Sequence, residues 1–332
     1  MTKVTRGTLK ALKEMIEIPS ISGNEGKFSH YLKNEFSRFA DEAFLDKIGN
    51  VIAIKGKPRI ALFAHVDTVG FMVKVVRDDI IEVVKIGYPE DFHGQSVRMY
   101  SREDTLRGHI FKKDKQILID TSMKRALNLV EVGDFVGYTP YLEREGNSLI
   151  GPGLDNKVGC FVSLEVFKEM DNIAFVGTIK EESDQQGALS AVYNLRFNLD
   201  LAVIVDTTYG SDLFNRESVA VGRGTVISLK DTIMPRRENV DEMVHLALDE
   251  GFRFQREVSE GGESDARSIF HQRGGIPFLF VGVAAKYPHS AFEMVNVKDI
   301  NETIRLLKRY VALKHKSLDK GEEEMCIEKR RP

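Results

Sequence analysis

The chain's 332 residues carry 47 basic against 50 acidic side chains and a formal charge of −3, which offers no broad positive field for phosphate backbones or anionic membranes. That excludes nucleic-acid binding as the main task and favours small molecules or peptides. The charged N-terminus lacks the apolar run of a signal peptide, and the longest nearly apolar stretch, from Ile276 to Ala285, is about half of the roughly 20 residues a spanning helix needs; a cytoplasmic location and no membrane partner are expected.

Leu9, Leu12 and Ile16, then Phe28, Leu32, Phe36 and Phe39, recur at three- and four-residue steps and predict two amphipathic helices separated by a turn over 19–24. From Asn50 the texture becomes short β-type runs: VIAIKG, RIALFAH, FMVKVV, IIEVVKI, SVRMY, HIF, QILID, DFVGYTP and NSLIG. Roughly 80 residues of such runs without a helix predict a small β domain, a barrel or a sandwich. After Gly151 the apolar helical stripe of Val158, Phe161, Val162 and Val166 opens an alternation of helices with buried strands, IAFVGTI, LAVIVD and IPFLFVGV, which is an α/β layer pattern. The length exceeds one simple core, so the simplest arrangement is one α/β domain formed by both ends of the chain and interrupted by the β domain. The tail from Lys316 has few core-forming residues and is read as an exposed or frayed end.

Cys160 and Cys326 fall in no CxxC spacing, so any metal would sit on histidines and carboxylates. RIALFAH ends in His65, with Asp67 two residues on; extended geometry would put both on one face, as a metal ligand and the carboxylate that orients it. GPGLDNKVG places Asp155 between a turn and a helix, where it either enters a cleft or simply caps the helix. IAFVGTIKEES ends a strand with Glu181 and Glu182, one of which could bind metal while the other takes a proton from water. LAVIVD ends in Asp206, and His289 follows another strand. Each feature alone has an ordinary surface explanation. Together, His65, Glu181, Glu182, Asp206 and His289 all fall at or just past strand ends, where open α/β sheets bind ligands. Two imidazoles with several carboxylates and no thiolate suit a pair of divalent ions of the zinc, cobalt or manganese type.

AHVDTVGFMV, GPGLDNKVGC, KEESDQQGA, VDTTYG, GGESDA and YPHSAFEM, in that order, resemble the motif series of the tetrahedral (TET) dinuclear metallo-aminopeptidases, which include glutamyl and deblocking aminopeptidases. The resemblance runs from about Met15 to Leu313. It implies a three-layer αβα zinc-peptidase-like catalytic domain formed by 1–67 and 152–315, an inserted small β-barrel (PDZ-like) dimerisation domain at 68–151, and a charged tail at 316–332. It makes Asp155 the carboxylate bridging two metals, with His65 and Asp206 completing one site and Glu182 and His289 the other. It makes Glu181 the general base and Asp67 the residue orienting His65. Two ions per chain, zinc or cobalt with manganese a third option, would act on short peptides with a free N-terminus in a dodecamer built from dimers.

Thr68, Asn156 and SDQQGA depart from the commonest family wording, which bears on substrate preference and touches no ligand. GGESDA is read as a pocket segment with Asp265 a partner for the substrate's amine, or as a plain glycine-rich turn; the loop at 222–224 is a second pocket candidate. The alternative activity is a metal-dependent amidohydrolase acting on N-acyl amino acids, since the same water would attack either amide.

Overall fold

In the computed structural model, which describes residues 6–77, 80–121, 128–214, 216–231, 233–260 and 264–328, helices α1 (Arg6–Glu17) and α2 (Gly26–Ser37) stand where their apolar spacing predicts. The chain then enters a large sheet through β1 (Glu42–Leu45), β2 (Val51–Lys55) and β3 (Ile60–His65). Burial along β3 shows why this sheet has a layer on each face. Ile60, Leu62 and Ala64 point into one core, Ala61 and Phe63 into another, following the two-residue period of a strand.

The chain next leaves the sheet for β4 (Gly70–Arg77), β5 (Ile80–Ile86), β6 (Ser96–Tyr100), β7 (Thr105–Lys113), β8 (Gln116–Asp120) and β9 (Phe135–Tyr138). These close into a barrel of order β4-β5-β8-β7-β6-β9, so the barrel leaves no open strand edge. Alternate residues such as Leu106 and Ile110 on β7 fill its interior with Phe71, Val97 and Met99. The following strands, β10 (Glu143–Glu145) and β11 (Ser148–Ile150), do not extend the barrel. They form a separate three-stranded sheet with a late strand, β17 (Met294–Asn296).

Helix α3 (Leu154–Glu169) returns the chain to the large sheet, which β12 (Ile173–Thr178), β13 (Leu201–Tyr209), β14 (Thr225–Lys230), β15 (Phe254–Val258) and β16 (Phe278–Ala285) complete in the order β1-β2-β12-β3-β13-β16-β14-β15. On one face lie α1, α2, α3, α6 (Arg237–Asp249) and α8 (Val297–Glu328); on the other lie α5 (Gln186–Asn194) and α7 (Ala266–Phe270). Phe36 on α2 stacks on Phe175 at 3.9 Å and meets Phe167 edge-on at 5.2 Å, fixing helix and sheet with rings each worth about 1.5–3 kcal/mol of burial. The segment read as a frayed tail is instead helical to Glu328, and Leu318 packs against the core.

Candidate metal centre

Strands β12, β3, β13 and β16 are neighbours and parallel, so their carboxyl ends open on one crevice. His65 is the last residue of β3. Asp206 is not at a strand end, because β13 runs on to Tyr209 paired with β16; its pairing with β3 stops at Ile204, which leaves the His65 side open to Asp206. After β12, Lys180 turns the chain at φ 57°, and Glu181 and Glu182 open the four-residue helix α4 (Glu181–Asp184). His289 lies in the loop after β16 at φ 63°.

Asp155 arrives from the other side, at the start of α3, where its backbone departs from helical angles. Asn156 donates from Nδ2 to the Val205 carbonyl at 2.9 Å and so pins Asp155 beside Asp206. The approach needs a glycine: a Cβ on Gly159 would stand 2.3 Å from the same carbonyl. The carboxylate of Asp155 lies between the two imidazoles. Its Oδ1 is 3.2 Å from His65 Nε2, which also lies 3.4 Å from Asp206 Oδ1. Its Oδ2 is 3.5 Å from His289 Nε2, which lies 3.2 Å from Glu182 Oε2. The five side chains therefore divide into two trios that share Asp155.

Asp67 is fully buried, but its contact with the His65 ring is made chiefly by its main-chain oxygen, 3.1 Å from Nδ1, with Oδ1 farther at 3.6 Å. Its carboxylate accepts instead from the Glu181 and Glu182 amides, at 3.0 and 3.1 Å. Asp67 thus sets both the ring and the adjacent glutamates. Asp265 is buried and accepts a hydrogen bond from Thr178 Oγ1 on β12, and its charge acts on the neighbouring Glu181 carboxyl. Gly261 to Glu263 of the same segment lie outside the described residues. The amides of Gly222 and Gly224 donate to Asp299 at the start of α8, so this loop supports a helix.

Sequence reasoning missed Glu293. Its two carboxylate oxygens accept from the Asp155 amide at 2.9 Å and the His289 amide at 3.1 Å, tying the shared carboxylate to the loop that carries the second imidazole. The signal was an acidic residue four positions after His289 in YPHSAFEM, a spacing that says nothing until the loop's turn is known.

The electrostatics show what the cluster requires. Burial and the Asp155 charge push the Glu182 carboxyl up to about 8, and burial raises Asp206 to about 6. Burial raises Glu181 well above the carboxylate range, with Glu182, Asp265 and Asp206 adding to it. Burial alone would lower both histidines. Glu182 and Asp155 outweigh it to hold His289 at about 10, and Asp206 and Asp155 likewise hold His65 well above its usual value. Burial disfavours the Asp155 anion too, but bonds from His289 and His65 keep it well below the usual range. A site with more buried carboxylates than imidazoles calls for added positive charge. Its all-nitrogen-and-oxygen donor set, with ligand atoms of His65, Asp155 and Glu182 all within 4.8 Å of one another, fits divalent metal ions.

The sequence profile of the M42 glutamyl aminopeptidases matches residues 49–306. A protein of Acetivibrio thermocellus carrying an aminopeptidase name is 30% identical over 319 residues, spanning 89% of this chain and 96% of its own. Among solved structures, an aminopeptidase from the archaeon Desulfurococcus kamchatkensis superposes with a TM-score of 0.84 at 23% identity, covering 91% of this chain and 93% of its own. The Pyrococcus horikoshii TET1 peptidase, which can assemble into a tetrahedron or a large octahedral shell, superposes with a TM-score of 0.79 at 25% identity, covering 91% and 98%.

Proposed function

Because the chain belongs to the M42 glutamyl aminopeptidase family, we propose that its metal-dependent aminopeptidase activity is carried out at this centre, on short peptides with a free N-terminus. His65, Asp206 and Asp155 Oδ1 would hold one divalent ion, and Glu182, His289 and Asp155 Oδ2 the second. The observation that carries this reading is the division of the two Asp155 oxygens between two imidazole–carboxylate pairs. When bound, the ions supply Lewis-acid polarisation of the scissile carbonyl and make water acidic enough to attack near neutral pH. Zinc or cobalt is the proposed occupant, with manganese a third candidate.

Glu181 faces the same cleft, and its Oε1 is buried without a hydrogen-bond partner among the described residues. It takes a proton from the attacking water as the oxygen bonds to the carbonyl carbon, and returns it to the nitrogen as the C–N bond breaks. Asp67 holds the Glu181 and Glu182 amides, so base and ligand keep fixed positions relative to each other. The barrel supplies part of the enclosure. A Cβ on Gly87 (φ 69°) would stand 2.8 Å from the Glu182 carbonyl, and the Glu90 amide donates to the His289 carbonyl at 2.9 Å.

Residues 1–67 and 152–315 form the catalytic domain in this reading, and 68–151 the dimerisation domain. The proposed assembly is a dodecamer built from dimers, supported by the tetrahedral assembly of the Pyrococcus horikoshii relative. A cytoplasmic location belongs to the same proposal. Among the described residues, no helix is long and apolar enough to cross a membrane.

The aminopeptidase names of family and relatives support peptide hydrolysis over the amidohydrolase alternative. The discriminating assay compares metal-loaded protein on a panel of short peptides and on their N-acetylated forms. Stepwise loss of N-terminal residues from the free peptides and none from the blocked ones is expected. Faster release of the acetyl group or cleavage inside the peptide would reverse the assignment.

A further inference from the structure

The cleft has two walls of different character. One is buried: Asp231 is 8% exposed, Thr207 7% and Phe280 4%, and all line the cleft together with the metal-ligand candidates. The other opens to solvent and is aromatic. Tyr88, Tyr209 and His289 line both the cleft and an adjoining cavity of about 350 Å³, whose further walls include Phe214, Tyr287 and Phe292. That volume falls within the range of small-ligand pockets.

The rings of this second cavity hold one another. Phe92 meets Phe292 at 5.6 Å, Phe292 meets Tyr287 at 5.6 Å, Tyr287 meets Phe214 at 6.0 Å, and Tyr209 stands 6.2 Å from the His289 ring. Phe92, Phe292, Tyr287 and Phe214 thus form one line of rings, and the separate Tyr209–His289 pair lines the same cavity where it meets the metal centre. Tyr88 is 83% exposed and Phe214 73% exposed, so both rings are open to an incoming chain.

An enzyme that removes a terminal residue must close around that residue and leave an exit for the rest of the chain. We propose that the buried wall receives the side chain of the N-terminal residue, and that the open aromatic cavity is the subsite for the next residue, selecting peptides whose second side chain is large and apolar. This rests on the aminopeptidase reading and adds a substrate class to it. The cavity is continuous with the reaction centre, which argues for the substrate as its occupant. A flexible peptide would also gain from rings already in place, since less ordering entropy is lost on binding.

The test uses metal-loaded full-length protein and tripeptides with one accepted N-terminal residue and phenylalanine, leucine, glycine or aspartate at the second position. Burying a phenylalanine ring rather than leaving glycine should raise kcat/KM roughly 10- to 100-fold, chiefly through KM. In the double variant Tyr88→Ala/Phe214→Ala, two exposed positions whose truncation spares the core, that ratio should fall to within about threefold of unity. Equal rates for phenylalanine and glycine in the parent protein, or a preference that survives the double variant, would overturn the proposal. Calorimetric binding of the same peptides to metal-loaded Glu181→Gln separates the two readings. Tighter binding of the phenylalanine peptide without turnover by the parent protein would leave the subsite standing and defeat the peptidase reading, whereas equal binding would defeat the subsite.

Discussion

Asp155→Asn is expected to remove both ions at once and to lower kcat by about 10⁴-fold or more, the scale of losing several kcal/mol of transition-state charge stabilisation. The reason is geometric. Each Asp155 oxygen faces a different imidazole, at 3.2 and 3.5 Å, so converting one oxygen to an amide nitrogen places a donor where one ion needs an acceptor and weakens the other position as well. The side chain keeps its shape, and the Asn156 bond to Val205 that anchors this turn is untouched. Circular dichroism and native mass should therefore match the parent. Asp206→Asn provides the control, because Asp206 belongs to one trio and should cost one ion. Metal content by elemental analysis and turnover on the same peptide read both. Retention of two ions by Asp155→Asn would show that Asp155 does not join the two positions.

Glu181→Gln and Glu182→Gln, neighbours in sequence, are expected to fail in different ways. Glu182 Oε2 faces His289 within the second trio, so replacing its carboxylate with a neutral amide should weaken that metal position. Glu181 lines the same cleft, but among the described residues it forms no ion pair with either imidazole. Its glutamine variant keeps shape and hydrogen-bonding capacity but cannot accept a proton. Both ions should remain while kcat falls about 10²- to 10⁴-fold, the usual size of general base catalysis. KM should change much less, since binding precedes the proton transfer. If Glu181→Gln loses an ion while Glu182→Gln keeps both, or if Glu181→Gln turns over normally, the two roles must be reassigned.

The parts of the centre that were legible in the sequence are those that sit close to strand ends. His65 closes an apolar run, and Glu181, Glu182 and His289 follow others, so strand periodicity and the rule for α/β crevices together placed them. Asp206 was found for a reason that proved incomplete: the apolar run stops there, yet β13 continues through Thr207, Thr208 and Tyr209 on pairing with β16 alone. The barrel was legible because its strands alternate cleanly, whereas β15, FQREV, carries three charged or amide side chains at the sheet's edge and showed no apolar run. Glu293 and the split duty of Asp67 could not be read from sequence, because both depend on which backbone amides a turn presents to a carboxylate. The aromatic wall depends likewise on packing, joining Tyr88 and Phe92 from the barrel with Phe214, Tyr287 and Phe292 from the catalytic layers.

The central claim, two ions held by two trios that share Asp155, is tested most directly by titrating metal-free protein with zinc at pH 7 in buffers of different ionisation enthalpy, following heat and peptide turnover together. Without metal the centre holds protons at neutral pH, because Glu182 and Asp155 keep the His289 imidazole up at about 10 and Asp206 and Asp155 keep the His65 imidazole well above its usual value. Ligation requires neutral imidazoles and ionised carboxylates, so binding must expel those protons, and affinity must rise with pH below these values and fall on acidification. The predicted result is two ions per chain, net proton release on filling, weaker binding at pH 5.5 than at pH 7, and full turnover only with both positions occupied. Saturation and full activity at one ion per chain, or uptake with no proton release, would contradict it.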